Sequence, residues 1–152
     1  PGRLIAGNAG LMVSKVIYVK SGEGRDFLIL DGAMNDLIRP AMYDAHHDII
    51  PVIEAPAGAE KQPYDIVGPV CESGDTFAKQ RQMVPLVADD LVAFRSAGAY
   101  GAVMSSEYNS RALIPEVLVK DDQFAVIRPR PTFDEMINRD TIPEWLEAHP
   151  AT

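Results

Sequence analysis

Leu11–Leu30, LMVSKVIYVKSGEGRDFLIL, decides the fold class. Its first part, Leu11–Val19, is rich in β-branched and aromatic residues, which suit a pleated, half-buried backbone. Ser21-Gly22-Glu23-Gly24 then supplies turn chemistry, and Phe27–Leu30 is a second short apolar run. The pair predicts a β-hairpin. Similar runs recur at Ile49–Ile53, Asp65–Val70, Leu91–Ala97, Leu113–Val119 and Phe124–Ile127, bounded by Gly, Pro and Asp clusters. About seven short strands spaced in this way predict a mainly β chain, folded as a small closed or nearly closed domain.

Helical signals are fewer and lie between or after the strands. Met34–Asp48 has helical composition but carries Pro40. Proline removes a donor and disfavours the helical region for Arg39, so two short turns are expected, the second starting at Pro40. Thr132 with Glu135 fits a capping box, and so does Thr141 with Glu144 around Pro143. These pairs predict short helices over Phe133–Arg139 and Pro143–Glu147, with Trp145 and Leu146 packing back on the body or on an absent domain. Ala55–Pro63 is the best surface loop, and no internal repeat is visible.

The 152 residues suffice for one compact core. With 47% hydrophobic and 24% charged residues, the balance is that of a soluble globular protein rather than a disordered one. A net charge of -8 argues against duplex DNA or an anionic membrane as partner, because like charges repel. No apolar run reaches the ~18 residues needed to span a bilayer, and no signal peptide is visible. Cys71 is the single cysteine, so an internal disulfide is impossible and a reducing, cytoplasmic compartment is expected. The sequence opens on Pro1 inside what reads as a glycine turn, so it is expected to be processed or part of something longer.

Several clusters could carry chemistry. Cys71-Glu72-Ser73-Gly74-Asp75 gathers a thiol, two carboxylates and a hydroxyl directly after a predicted strand. It reads either as a solvated turn with a half-buried cysteine or as a reactive knot. A thiol can hand a proton to a carbanion, or act as a nucleophile when a base activates it. Gly98-Ala99-Tyr100-Gly101 sets one tyrosine between glycines that permit positive φ and close backbone approach. It is either a bulge with a packed tyrosine or a phenol presented to a ligand. Arg39 and Tyr43 share one face if their turn is helical, and a guanidinium can grip a carboxylate through two parallel hydrogen bonds. Asp44-Ala45-His46-His47-Asp48 matches no strong metal-ligand spacing and reads as a solvated helix end. Pro1-Gly2-Arg3 offers backbone amides and a cation that would suit an anion.

Taken in order, PGR at 1–3, MNDLIRPAMYDA at 34–45, GPVCESGD at 68–75, GAYG at 98–101, YNSR at 108–111 and PEVLV at 115–119 resemble one family, the diaminopimelate decarboxylases. These are pyridoxal-phosphate enzymes of the alanine-racemase type. The resemblance runs from Pro1 to about Arg139 and covers the family's C-terminal part. It implies a C-terminal β-barrel or β-sandwich domain of the alanine-racemase and ornithine-decarboxylase type with short flanking helices, the (β/α)8 barrel being largely missing. Residues 1–10 would then be the end of that barrel with its phosphate loop, 11–131 the β-domain, and 132–152 helices returning towards the barrel.

The implied reaction is decarboxylation of meso-diaminopimelate to L-lysine with pyridoxal 5'-phosphate as cofactor. Pro1, Gly2 and Arg3 match the family's EPGR loop, which holds the cofactor phosphate; its arginine also reaches substrate. Arg39 and Tyr43 match substrate-binding positions, Glu72 a substrate-binding carboxylate, and Cys71 the proton donor. Tyr100 matches a tyrosine that touches both cofactor and substrate. Cys71 and Glu72 would reach into the partner subunit's site, which implies a homodimer. Glu72 stands where ornithine- and arginine-type relatives show Asp, in a CDxxD-like motif, which favours diaminopimelate. No metal is expected. Lys15, Lys20, Lys61, Lys79 and Lys120 lie outside the family's cofactor-lysine motif, which belongs to the first barrel strand, so the segment alone is expected to be inactive. Ala112 replaces the proline that often follows YNSR. Two other classes remain open: a non-catalytic β-domain used for dimerisation, and a thiol hydrolase pairing Cys71 with His46 or His47.

Overall fold

The computed structural model describes residues 1–147. The chain divides into two compact units, Pro1–Asn109 and the residues from Ser110 onward. The first holds α1 (Gly2–Ala6), β1 (Met12–Gly22), β2 (Arg25–Leu30), α2 (Arg39–Tyr43), β3 (Ile49–Pro51), β4 (Gln62–Val67), β5 (Thr76–Met83) and β6 (Leu91–Phe94). Its six strands form one sheet in the order β3-β6-β1-β2-β4-β5. Neighbours run antiparallel except β2 and β4, which are parallel. The mainly β architecture expected from the strand spacing is borne out.

Alternation along β1 fixes which face is covered. Met12, Ser14 and Val16 are buried while Val13, Lys15 and Ile17 are exposed. The period of two is that of a pleated strand with one face against a core. Leu28, Leu30, Tyr64, Ile66, Val92 and Phe94 complete that core. Side chains of β5, at one edge of the sheet, reach the segment before β3 and the strand β6 at the other end. Arg81 of β5 donates to the carbonyl oxygen of His47, which precedes β3, at 3.1 Å. Phe77 of β5 meets Phe94 of β6 with ring centroids 4.7 Å apart. The sheet therefore curls into a nearly closed barrel.

β5 was not foreseen, and its sequence explains why. Thr76–Met83 reads TFAKQRQM, and Gln80 adopts φ 50°, in the left-handed region. That kink shifts the register against β4 between Tyr64 and Ile66 and spoils the alternation. The amide this frees is not left unpaired. Buried Asp65 accepts from the Gln80 N–H at 2.9 Å and from Arg25 at 3.2 Å. Burial pushes the Asp65 carboxyl up, but these hydrogen bonds and the Arg25 charge outweigh it and hold it below the usual carboxylate value.

Other boundaries move by a few residues. β4 begins three residues before the expected Asp65, because Gln62 and Pro63 already pair with Met83 and Gln82. β1 continues to Gly22, paired through the turn with Arg25. Gly2–Ala6 is a helix rather than a glycine turn alone: Ile5 N–H reaches Pro1 O, and Arg-Leu-Ile-Ala are acceptable helix formers.

The second unit holds β7 (Glu116–Lys120), β8 (Gln123–Arg128), α3 (Phe133–Ile137) and α4 (Glu144–Glu147). β7 and β8 form an antiparallel hairpin. The capping box at α3 forms as expected: Glu135 N–H donates to the Thr132 hydroxyl at 3.2 Å, and Thr132 N–H donates to the Glu135 carboxylate at 2.7 Å. Trp145 and Leu146, expected to pack on the body or on an absent domain, are 73% and 57% exposed. Among the described residues no helix is long and apolar enough to cross a membrane.

Candidate functional site

Arg39 and Tyr43 stand at opposite ends of α2, one helical turn apart on one face. Pro40 in the first turn costs nothing there, since its missing N–H would be unpaired anyway. Asp44 ends the helix at φ 51°, returning its N–H to Arg39 O. The approach to α2 is set by a tight turn in which Ala33 N–H donates to Asp36 and Asn35 donates to Ser106 O.

Tyr100 sits on the turn after β6. It takes φ 58°, a left-handed conformation that a bulky residue adopts only under constraint. The glycines beside it were expected to supply the positive φ; instead the tyrosine takes it and Gly98 supplies closeness. A Cβ on Gly98 would lie 2.2 Å from the Ala6 carbonyl oxygen. With Gly98 N–H bonded to Gly7 O and Ala97 N–H to Gly10 O, the end of α1 is pressed onto this turn.

The result is a pair of adjoining hollows. One, of about 730 Å³, is lined by Arg3, Arg39, Tyr43, Ala45, His46, Tyr100 and Met104. The other, of about 690 Å³, is lined by Pro1, Gly2, Arg3, Leu4, Asn8 and Tyr100. Arg3 and Tyr100 belong to both. The Arg39 guanidinium carbon lies 5.9 Å from the Tyr100 ring centroid, within cation–π range. Two guanidiniums and two phenols line the larger hollow, and neither hollow has a carboxylate in its wall. Such a donor set takes an anion.

Cys71 and Glu72 line neither hollow. They are exposed on the loop after β4. The loop is held by a buried carboxylate. Asp75 accepts from Val70 N–H at 2.8 Å and from Met34 N–H at 2.7 Å, so it ties the cysteine loop to the segment that leads into α2. Gly68 makes room, because a Cβ there would lie 2.3 Å from the Asp75 carboxylate.

The adjacent histidines His46 and His47 differ, and neither is merely a solvated helix end. His47 is buried, its Nδ1 lies 3.0 Å from the Arg95 carbonyl oxygen and therefore donates to it, and burial chiefly holds its pKa below the ordinary 6.5. His46 is exposed and lines the larger hollow, with Nδ1 3.2 Å from Arg81 Nη2. Each Nδ1 is thus engaged by a group other than Cys71. Among the described residues no group of three or more His, Cys, Asp or Glu is disposed to hold a metal.

Comparison with known proteins decides the family. Residues 4–98 match the family model described as "Pyridoxal-dependent decarboxylase, C-terminal sheet domain". The chain belongs to this family. Among relatives of this pyridoxal-dependent decarboxylase domain, the diaminopimelate decarboxylase of Zymomonas mobilis is 49% identical over 146 residues, covering 96% of this chain and 34% of that protein. That of Haemophilus influenzae is 52% identical over 136 residues, covering 90% and 32%. The crystal structure of diaminopimelate decarboxylase from M. jannaschii in complex with L-lysine aligns with TM-score 0.89 at 35% identity, over 96% of this chain and 33% of that one. The chain thus spans about a third of the length of the relatives it matches.

The family implies pyridoxal phosphate, and the smaller hollow fits part of it. A cation at Arg3, exposed backbone at Gly2 and the Tyr100 ring suit an anionic, aromatic group. No lysine lines either hollow, so the described residues offer the phosphate end a place and provide no amine there to tether the ring. Sequence reasoning missed Asp75 as a clamp, Arg81, and the place of His46 in the wall of the larger hollow. The CESGD spacing could have marked Asp75, since an Asp three residues beyond Glu72 can accept the amides of its own turn. Nothing local pointed to Arg81, whose partners lie some 35 positions away.

Proposed function

We propose that this chain is the C-terminal part of a diaminopimelate decarboxylase, which converts meso-diaminopimelate to L-lysine and CO2. The observation that carries the reading is the convergence of Arg3, Arg39, Tyr43 and Tyr100 on one hollow of about 730 Å³. Residues 1–10 supply the end of a (β/α)8 barrel, 11–131 the β-domain and, of the expected 132–152, residues 132–147 the helices that return to the barrel; 148–152 lie outside the described residues. When bound, pyridoxal phosphate supplies the electron sink that lets the carbon–carboxylate bond break. Arg3, with the Gly2 backbone, holds the phosphate. Arg39 and Tyr43 grip the carboxylate at the end of the substrate remote from the reaction, by charge and by phenol hydrogen bond.

Cys71 and Glu72 act from the partner subunit of a homodimer. Their exposure and their absence from the walls of the hollows of their own chain support this. There Glu72 pairs with the ammonium beside the remote carboxylate, and the Cys71 thiol delivers a proton to the carbon that lost CO2. Uniform recognition of both charges at the far end separates diaminopimelate from ornithine or arginine, which have no second carboxylate. A lone exposed thiol suits the reducing cytoplasm.

The test is turnover by the full-length protein loaded with pyridoxal phosphate. Release of CO2 and L-lysine from meso-diaminopimelate is expected, with ornithine and arginine at least about a hundredfold poorer in kcat/KM. Arg39→Ala should raise KM for diaminopimelate by about tenfold or more. Equal use of ornithine would overturn the substrate, and a full-length protein that dimerises without any turnover would leave a non-catalytic domain.

A further inference from the structure

We infer that His46 is a further specificity-determining residue, donating an Nε2–H hydrogen bond to the remote carboxylate of the amino-acid ligand, and that Arg81 is the positioning residue that fixes this tautomer. The inference rests on the substrate reading above and goes beyond it to residues that the family resemblance does not assign.

The geometry leaves His46 one role. Its Nδ1 lies 3.2 Å from Arg81 Nη2. A guanidinium has donors only, so Nδ1 must accept and the ring proton sits on Nε2. His46 lines the hollow and Arg81 does not, so the ring is held through Nδ1 by a residue outside the cavity wall and keeps Nε2 as its remaining polar atom. Arg81 is itself anchored: it donates to His47 O at 3.1 Å, pairs with Asp48 at 3.9 Å, and its side chain is only 20% exposed. The orientation of His46 is therefore set by β5, an element with no residue in the hollow. Arg39 and Tyr43 present a cation and a phenol to the same space. A directional neutral donor adds a third bond to a carboxylate without adding a charge that would have to be desolvated.

The other anion that the two hollows would take is the cofactor phosphate, and the experiment separates the two. In full-length protein, His46→Phe removes the donor and His46→Gln keeps an N–H near the Nε2 position. His46→Phe is expected to raise KM for meso-diaminopimelate on the order of tenfold with kcat little changed, and His46→Gln to recover most of that loss. Affinity for pyridoxal phosphate should be the same in all three proteins. Calorimetry with pimelate, a dicarboxylate of the same length without amino groups, should show the same order of affinities. Nitrogen NMR of the His46 ring should find Nδ1 unprotonated in the wild type. Unchanged KM and pimelate affinity in His46→Phe, a loss confined to the cofactor, no recovery in His46→Gln, or a proton on Nδ1 would each overturn the inference. A wild-type protein that binds pimelate through His46 yet releases no CO2 would instead sink the proposed function and leave the anion site standing.

Discussion

Residues 12–94 build a sheet that hides one face, whereas residues 116–128 build a hairpin that hides neither. In β1 the apolar core positions alternate with exposed ones, and the inward side chains find Leu28, Leu30 and Phe94. In β7 and β8 the apolar residues are consecutive: Val117, Leu118 and Val119 face Phe124, Ala125 and Val126 across the ladder. Among the described residues from Ser110 onward none is buried. Phe124 is 77% exposed. Strands with consecutive apolar residues need cover on both faces, and two strands alone are marginal in water. The difference teaches that one unit buries an apolar face of its own and the other leaves its apolar residues exposed.

Core truncation should show that contrast most strongly. Phe94→Ala should cost about 3–5 kcal/mol in urea unfolding of the 152-residue chain, because Phe94 is fully buried against Phe77. Phe124→Ala in the same chain should fall within about 0.5 kcal/mol of no effect. Equal losses would erase the distinction between the units.

Next in size is the clamp on the cysteine loop. Asp75→Ala leaves the Val70 and Met34 N–H groups without their acceptor and should cost about 2–4 kcal/mol. The hairpin's ion pair between Glu116 and Arg128, 2.5 Å apart and half exposed, offers the matched test, since Glu116→Ala should cost about 1 kcal/mol at most. A larger loss at Glu116 than at Asp75 would reverse the comparison.

A smaller effect depends on pH. His47 titrates below 6.5 when folded, chiefly because burial disfavours its charged form. The unfolded chain then binds more protons below 6.5, so this contribution to stability is complete above 6.5 and is lost as pH falls towards the folded value. Thermal midpoints measured from about pH 7.5 down to about pH 5 should fall less in His47→Gln than in the wild type. An identical slope would mean that His47 is not the group responsible.

The smallest effect lies in the second unit. Thr132→Ala removes the acceptor for Glu135 N–H and should speed amide exchange at Glu135 and Met136 without altering the six-stranded sheet. Altered exchange at Leu28 or Val92 would show that the two units are coupled in stability.

Much of this molecule was legible beforehand, for local reasons. β1, β2, β7 and β8 announce themselves by β-branched runs and turn residues, and α3 by a capping box whose four atoms lie within one helical turn. β5 was hidden, because a strand written TFAKQRQM owes its existence to a kink at Gln80 and to a carboxylate at Asp65, fifteen residues upstream. The site was legible in part. Arg39 with Tyr43 follows from helical spacing, and their meeting with Arg3 and Tyr100 was reached through resemblance rather than spacing. His46 read as a solvated residue because its partner, Arg81, belongs to the strand that was missed.

By itself the sequence determined the class of fold, the family, and the chemistry on offer: guanidiniums, phenols and one thiol. Those are properties of residue type and short-range order, where neighbours along the chain are neighbours in space. Only the tertiary structure decided which groups share a cavity, which of His46 and His47 is buried, and that Cys71 does not line the hollow that Arg39 lines. Those outcomes depend on sheet register and on how the edge strands are bridged. Both are settled by the joint packing of segments that are remote in sequence.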